Sequence, residues 1–133
     1  KRTKHTLEFD VDPSIEMDSY PGPFDQIITN LVNNSVLHGF DHIEEGHMNI
    51  SARELEDNQI QIDYEDDGKG ISNEIKEKIF APFFTTKSDE GGSGLGMHIV
   101  NSLATGILQG QIELLEKKGP GVRFRMTLPK DID

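Results

Sequence analysis

Asn30, Asn34 and His38 recur at intervals of four. Residues four apart on a helix stack on one face, so a helix here would line them up as a single polar row. The apolar residues Phe24, Ile27, Ile28, Leu31, Val32 and Val36 form a broad stripe at helical spacing. The polar row runs along the border of that stripe, with Asn33 and Leu37 beside it. Asparagine is unfavourable inside a helix, because its side chain competes for backbone hydrogen bonds. Two readings stand: a solvated face, or the wall of a ligand cleft. A carboxamide oxygen is a hard, neutral ligand that suits Mg²⁺, a cation that keeps most of its waters and takes phosphate oxygens for the rest.

A second cluster follows in IDYEDDGKGI, Ile62 to Ile71. Asp-Gly is an ordinary turn signal after a strand. The same residues also suit a ligand, with Gly68 and Gly70 admitting a planar group and Asp66 accepting a hydrogen bond from an amino group such as the 6-amino group of adenine. A third stretch, FAPFFTTKSDEGGSGLGMHIV from Phe80 to Val100, begins aromatic, turns polar and ends at a helical pattern. Gly91, Gly92, Gly94 and Gly96 can turn the chain tightly and present N–H groups to phosphate at the start of that helix. No G-x-x-x-x-G-K-[ST] occurs, and G-x-G-x-x-G fails because Met97 stands where the third glycine would be.

The elements that must hold these clusters are legible from period. Thr6–Val11 alternates Leu7, Phe9 and Val11 against Glu8 and Asp10, which predicts a half-buried strand. An irregular proline-rich stretch follows, in which Ile15 and Met17 are candidates for a short strand. The helix is expected over Phe24 to His38, with Pro23 in its first turn and Gly39 ending it. Met48 to Ala52 and Gln59 to Tyr64 read as antiparallel strands joined through LEDN, and SNEIKEKIF as a helical turn capped by Ser72. A helix from about Gly94 to Leu103, then strands Gln111 to Glu116 and Val122 to Leu128, complete the chain. The order predicts an α+β fold: a two-layer sandwich of a mixed, mostly antiparallel sheet with three main helices on one face.

The 133 residues suit a single domain, 1–133. A first residue other than Met reads as a cut from a longer protein. There is no cysteine, which excludes disulfides and thiolate metal sites. No apolar run is long enough to span a membrane, and no signal peptide is legible. The formal net charge of −11 argues against duplex nucleic acid as a partner, and any phosphorylated ligand would need local help from backbone N–H groups, a lysine or a cation.

Taken together, the clusters resemble the catalytic ATP-binding domain of sensor histidine kinases. Its nucleotide-binding fold, the Bergerat fold, is shared with type II DNA topoisomerases, Hsp90 chaperones and MutL repair proteins. The resemblance covers about residues 24 to 128. Asn30-Leu31-Val32-Asn33-Asn34-Ser35, continuing to His38-Gly39, resembles the family's asparagine box, and Asp66-Asp67-Gly68-Lys69-Gly70-Ile71 its first glycine box. Ile79 to Lys87, with Phe83, Thr86 and Lys87, resembles the phenylalanine box. Gly92-Ser93-Gly94-Leu95-Gly96-Met97 resembles the second glycine box. The resemblance implies ATP and Mg²⁺ as cofactors, with Asn34 on the metal and Asp66 on the adenine. It implies that Gly68, Gly70 and Ile71, with residues of the last two boxes, line the nucleotide, and that Phe84 to Ser93 form an ATP lid. The implied function is transfer of the γ-phosphoryl group to a histidine on a dimerisation domain of the same full-length protein, with a response regulator as indirect partner. The implied place is the cytoplasm, without membrane contact by this domain.

Two departures qualify the roles. Leu37 stands where many histidine kinases carry a phosphate-contacting lysine, so His38 or Lys87 must compensate. Asn30 stands where hydrolysing members of the fold carry a glutamate base, and a carboxamide cannot take a proton from water near neutral pH. The chain is therefore expected to hold ATP for transfer. Two alternatives are an anti-sigma-factor-type serine kinase, on the N-x-x-x-H-G of Asn34 to Gly39, and a non-catalytic adaptor.

Overall fold

In the computed structural model, the residues described are 4–81 and 96–132. Five strands form one sheet: β1 (Thr6–Val11), β2 (His47–Leu55), β3 (Gln59–Asp66), β4 (Gln111–Leu115) and β5 (Arg123–Pro129). Their order is β1-β2-β3-β5-β4. β2, β3, β5 and β4 pair antiparallel, whereas β1 lies parallel to β2. In the β2–β3 hairpin Asp57 and Asn58 take positive φ, 61° and 59°. That is a conformation their short polar side chains tolerate.

The period of two separates the faces of the sheet. Met48, Ile50, Ile60, Ile62, Tyr64, Ile112, Phe124, Met126 and Leu128 point into the core. Helix α1 (Pro21–Asn34) brings Ile27 and Leu31 onto that face, and helix α3 (Gly96–Thr105) brings Met97, Val100 and Ala104. The short α2 (Asn73–Lys76) is capped as expected, with Ser72 Oγ accepting the Ile75 N–H at 3.3 Å. The residues just after it, Ile79 and Phe80, pack against the core, and the Phe80 ring meets Phe124 edge-on. The outer face carries Gln61, Asp63, Glu65, Arg123, Arg125 and Thr127, so it is made for water and the architecture stops at two layers.

Three expectations need correction. The first helix starts at Pro21 and not at Phe24. Pro21 occupies its first position, where a missing N–H costs nothing and the fixed φ is already helical. Its α-helical part ends at Asn34, and Ser35–Gly39 continue as a π-helical turn closed by Phe40 N–H to Ser35 C=O at 2.8 Å. In β1 only Leu7 is packed. Phe9 and Val11 sit opposite Ile50 and Ala52, on the core face, yet are 66% and 41% exposed. They lie on the edge strand, beyond the reach of the helical layer. Ile15 and Met17 form no strand; only an isolated bridge, Asp18 to Asp131, occurs nearby. The remaining elements shift by a few residues at their ends, the usual uncertainty of boundaries.

The outer face is stitched by charge. Asp63 is 5% exposed and accepts from Arg125 Nε and a second Arg125 nitrogen, each at 2.9 Å, and from Arg123. Burial alone would raise the Asp63 pKa, but the hydrogen bonds and charges of Arg125 and Arg123 outweigh it and hold the carboxyl below its ordinary value. A depressed folded pKa stabilises the fold fully above the unfolded value, near 3.9, and this contribution fades as pH falls below it. Asp63→Asn should therefore cost roughly 2 kcal/mol at pH 7. In urea unfolding at stepped pH, the gap between the two proteins should close as pH drops below about 4.

Candidate functional site

Asp66 closes β3 with its carboxylate pointing under the end of the first helix, and it is 3% exposed. A polar group that is this buried needs partners. Oδ1 accepts the backbone N–H of Gly68 at 3.0 Å and of Val122 at 3.2 Å. Oδ2 accepts the hydroxyl of Ser35 at 2.6 Å. Ser35 in turn lies 2.6 Å from the hydroxyl of Tyr64, which is 1% exposed. Burial raises the Tyr64 pKa well above the ordinary phenol, the Ser35 hydrogen bond works against that rise, and the charge of Asp66 adds to it. Tyr64 is thus a neutral hydroxyl near neutral pH.

Ser35 follows Ile27 and Leu31 at intervals of four, so helical spacing turns it inward to Asp66. The π turn that continues from it admits one residue more than an α turn, a feature frequent at functional sites, and the Gly39 carbonyl at its end accepts the Lys69 N–H at 2.8 Å. Two close approaches in the same knot require glycine. A side chain at Gly68 would overlap the Gly39 backbone, and one at Gly121, whose φ is +102°, would overlap the Asp66 carbonyl. At Gly39 a Cβ would come within 3.0 Å of Asp66 Oδ2, so glycine keeps that flank of the carboxylate clear.

Asp66, Gly68 and Gly39 are thus brought together, and Asn34, half-buried, is the residue before Ser35 on the first helix. His38 lies in the π turn, also half-buried and engaged. Asn30 sits one turn back. Its Nδ2 donates to Gly96 C=O at 3.3 Å and its Oδ1 accepts from Gln26 Nε2 at 3.1 Å, so it ties the first helix to the start of α3. Gly96 is half-buried at that junction, whereas the Met97 side chain is 5% exposed and belongs to the core. His98 Nδ1 lies 3.3 Å from Phe80 C=O, linking the same helix to the residues after α2. Phe83, Thr86, Lys87, Gly92, Ser93, Gly94 and Leu95 lie outside the described residues, as do the whole of the expected ATP lid, Phe84 to Ser93, and most of the two boxes that flank it.

Gly70, at φ +75°, and Ile71 line a groove of about 460 Å³ between the start of α2 and the β4–β5 turn. Lys69, Lys76 and Lys117 rim it. Asn34, His38 and Asp66 do not. Gly70 and Ile71 therefore join Asp66 through the chain while facing a separate hollow. Among the described residues no group of three or more acidic, histidine or cysteine side chains is placed to hold a metal ion. Asn34 offers a single hard oxygen, which fits Mg²⁺ delivered with a polyphosphate and does not fit a metal caged by protein alone.

Ser35, Tyr64 and the Val122 N–H have no assigned role in the sequence reading. Tyr64 was visible as the last large side chain of an inward-facing series, Ile60, Ile62, Tyr64, and a buried tyrosine needs a partner for its hydroxyl. Ser35 carried the signal of a polar residue facing the apolar side of its helix. The Val122 amide comes from 56 residues further along and left no trace in the local pattern.

The sequence pattern of the family described as histidine kinase-, DNA gyrase B-, and HSP90-like ATPase matches residues 20–132. Among curated proteins, the autoinducer 2 sensor kinase/phosphatase LuxQ of Vibrio harveyi is 31% identical over 136 residues, covering 97% of this chain and 16% of that one. An anti-sigma F factor of Clostridium botulinum is 32% identical over 98 residues, covering 74% of this chain and 64% of that one. Among solved structures, the catalytic domain of the histidine kinase ThkA aligns with a TM-score of 0.80 at 28% identity, over 96% of this chain and 80% of that one. ThkA is also known in complex with the response regulator protein TrrA. The chain spans about a sixth of LuxQ but most of the ThkA catalytic domain. With the family pattern matched over residues 20–132, the chain belongs to the histidine kinase-, DNA gyrase B- and HSP90-like ATPases.

Proposed function

We propose that this chain binds ATP with Mg²⁺ and donates the γ-phosphoryl group to a histidine on a separate dimerisation domain, in two-component signalling with a response regulator downstream. The observation that carries the reading is the Asp66 knot: a buried carboxylate fixed by three donors, one of them Ser35, the residue that follows Asn34. Family membership supports a nucleotide as the ligand, and the likeness to LuxQ and ThkA supports the kinase branch of the family.

In this reading Asp66 accepts from the adenine amino group. Asn34 supplies one oxygen to Mg²⁺, which when bound neutralises charge on the β- and γ-phosphate oxygens. Gly68 borders the base, while Gly70 and Ile71 follow it in the chain and line the neighbouring groove. Phe83, Thr86, Lys87 and the stretch Gly92, Ser93, Gly94, Leu95, Gly96 and Met97 serve the phosphates, with Lys87 or His38 standing in for the lysine that Leu37 replaces. Transfer breaks the bond from the γ-phosphorus to the bridging oxygen, forms one to an imidazole nitrogen, and leaves ADP. Asn30 supports transfer over hydrolysis: it is a carboxamide, occupied by Gly96 and Gln26, and takes no proton from water.

A second reading, transfer to a serine in the manner of anti-sigma-factor kinases, draws on the 32% identity with the Clostridium protein. A labelled γ-phosphate separates the two. With a helical dimerisation domain supplied from a histidine kinase relative, the label should move to an acid-labile, base-stable phosphohistidine. Label on serine, or steady release of free phosphate without transfer, would overturn the proposal.

The metal assignment has its own check. Calorimetry should register little Mg²⁺ binding in the absence of nucleotide. Asn34→Ala should weaken ATP with Mg²⁺ by about tenfold, the order expected for one lost charge-assisted contact, and leave adenosine nearly unchanged. Equal losses for both ligands would remove Asn34 from the metal.

A further inference from the structure

Asp66 has about four lone-pair positions. Two on Oδ1 are taken by the Gly68 and Val122 amides, and one on Oδ2 by the Ser35 hydroxyl. One position remains, on Oδ2, on the oxygen that glycine at 39 leaves clear. Ser35 has a single proton and spends it on Asp66. Its contact with Tyr64 must therefore run the other way, with the Tyr64 O–H donating to Ser35 Oγ. The result is a directed relay, Tyr64 O–H to Ser35 Oγ–H to Asp66 Oδ2, made of groups that are 1%, 3% and 3% exposed.

We propose that Tyr64 and Ser35 are positioning residues that set base selectivity, by holding Asp66 as a pure acceptor with one oriented site left for a ligand donor. This rests on the reading of Asp66 as the adenine contact. The relay delivers a donor to the carboxylate from inside the protein, and the two amides deliver two more. With three positions filled by donors, the carboxylate keeps one acceptor position, whose direction is fixed by the bonds at the other three. A base with an amino group at the 6-position meets a matching acceptor. A base with a carbonyl there, as in hypoxanthine or guanine, sets two acceptors against each other inside a buried site, where the mismatch is costly. Without the relay, Oδ2 loses its fixed partner, and the carboxylate can turn its remaining acceptor position away from the ligand's amino group.

Titration of the 133-residue chain with ATP and inosine triphosphate, which differ at that position, tests the proposal. The unmodified chain should favour ATP. Tyr64→Phe removes one oxygen and keeps the ring, and it should lower the ATP-to-inosine preference by roughly threefold to tenfold, with Ser35→Ala lowering it at least as much. ATP and ADP should weaken by the same factor, because the base and not the γ-phosphate is affected. A structural role alone would weaken both triphosphates equally and leave the ratio unchanged, which would overturn the proposal. Asp66→Asn is the control for the underlying reading. If it abolishes the preference while the hydroxyl variants do not, only the relay is refuted. If it leaves the preference intact, the adenine assignment itself falls. Thermal unfolding verifies that each variant is folded, and should Ser35→Ala fail to fold, Tyr64→Phe decides alone.

Discussion

A carboxylate with 3% exposure must be matched by donors or the burial costs several kcal/mol. Asp66 is matched from three parts of the chain: the turn it opens, the first residue before β5, and the end of the first helix. That demand explains features that otherwise look unrelated. The first helix carries a serine, Ser35, on the same buried stripe as Ile27 and Leu31. Gly68 and Gly121 lack side chains because the Gly39 and Asp66 backbones occupy the space. Asp66 N–H donates to Val122 C=O at 3.1 Å, and the Val122 N–H returns to its carboxylate, so the β3 end and the β5 start are locked as a pair. The knot is where the two layers of the sandwich are joined by polar contacts. Elsewhere the joint is apolar.

The polar knot works because its surroundings are dry on one side and wet on the other. Ile27, Leu31, Ile60 and Val100 seal the core behind it, each at most 1% exposed. The outer face of the sheet, tied by Asp63 with Arg123 and Arg125, keeps its charges away from the site. Asn30 and His98 then fasten Gly96 and Phe80 to this frame, the one through Asn30 Nδ2 to the Gly96 carbonyl and the other through His98 Nδ1 to the Phe80 carbonyl. The motif residues that structure describes thus converge from elements far apart in sequence.

Part of the candidate site was legible because residue type and spacing are local signals: an asparagine row at intervals of four, and an Asp-x-Gly-x-Gly turn after an alternating strand, where the structure shows Asp66 buried with Gly68 beside it. Among the described residues, periodicity and caps likewise pointed to the five strands of the sheet and to α1, α2 and α3. What escaped has physical reasons. The π turn inserts one residue without changing the apolar spacing that a helix reading relies on. Alternation in β1 reports which face Phe9 and Val11 share, but not whether anything lies above them. The parallel pairing of β1 with β2 depends on a long connection, and the Val122 amide is a backbone group that any residue would supply. The prolines misplaced the helix start because Pro21 reads equally as a breaker before a helix and as its first residue.

The central claim is that nucleotide enters at the Asp66 knot and nowhere else on the described surface. Amide chemical shifts recorded while ATP and Mg²⁺ are added to ¹⁵N-labelled protein test it most directly. The account predicts the largest changes at Asp66, Gly68, Gly39 and Val122 and at Asn34, with Gln61, Arg53 and Thr127 on the outer face unmoved. Saturable changes centred on the outer face, or on the lysine-rimmed groove with Asp66 and Gly68 silent, would contradict it.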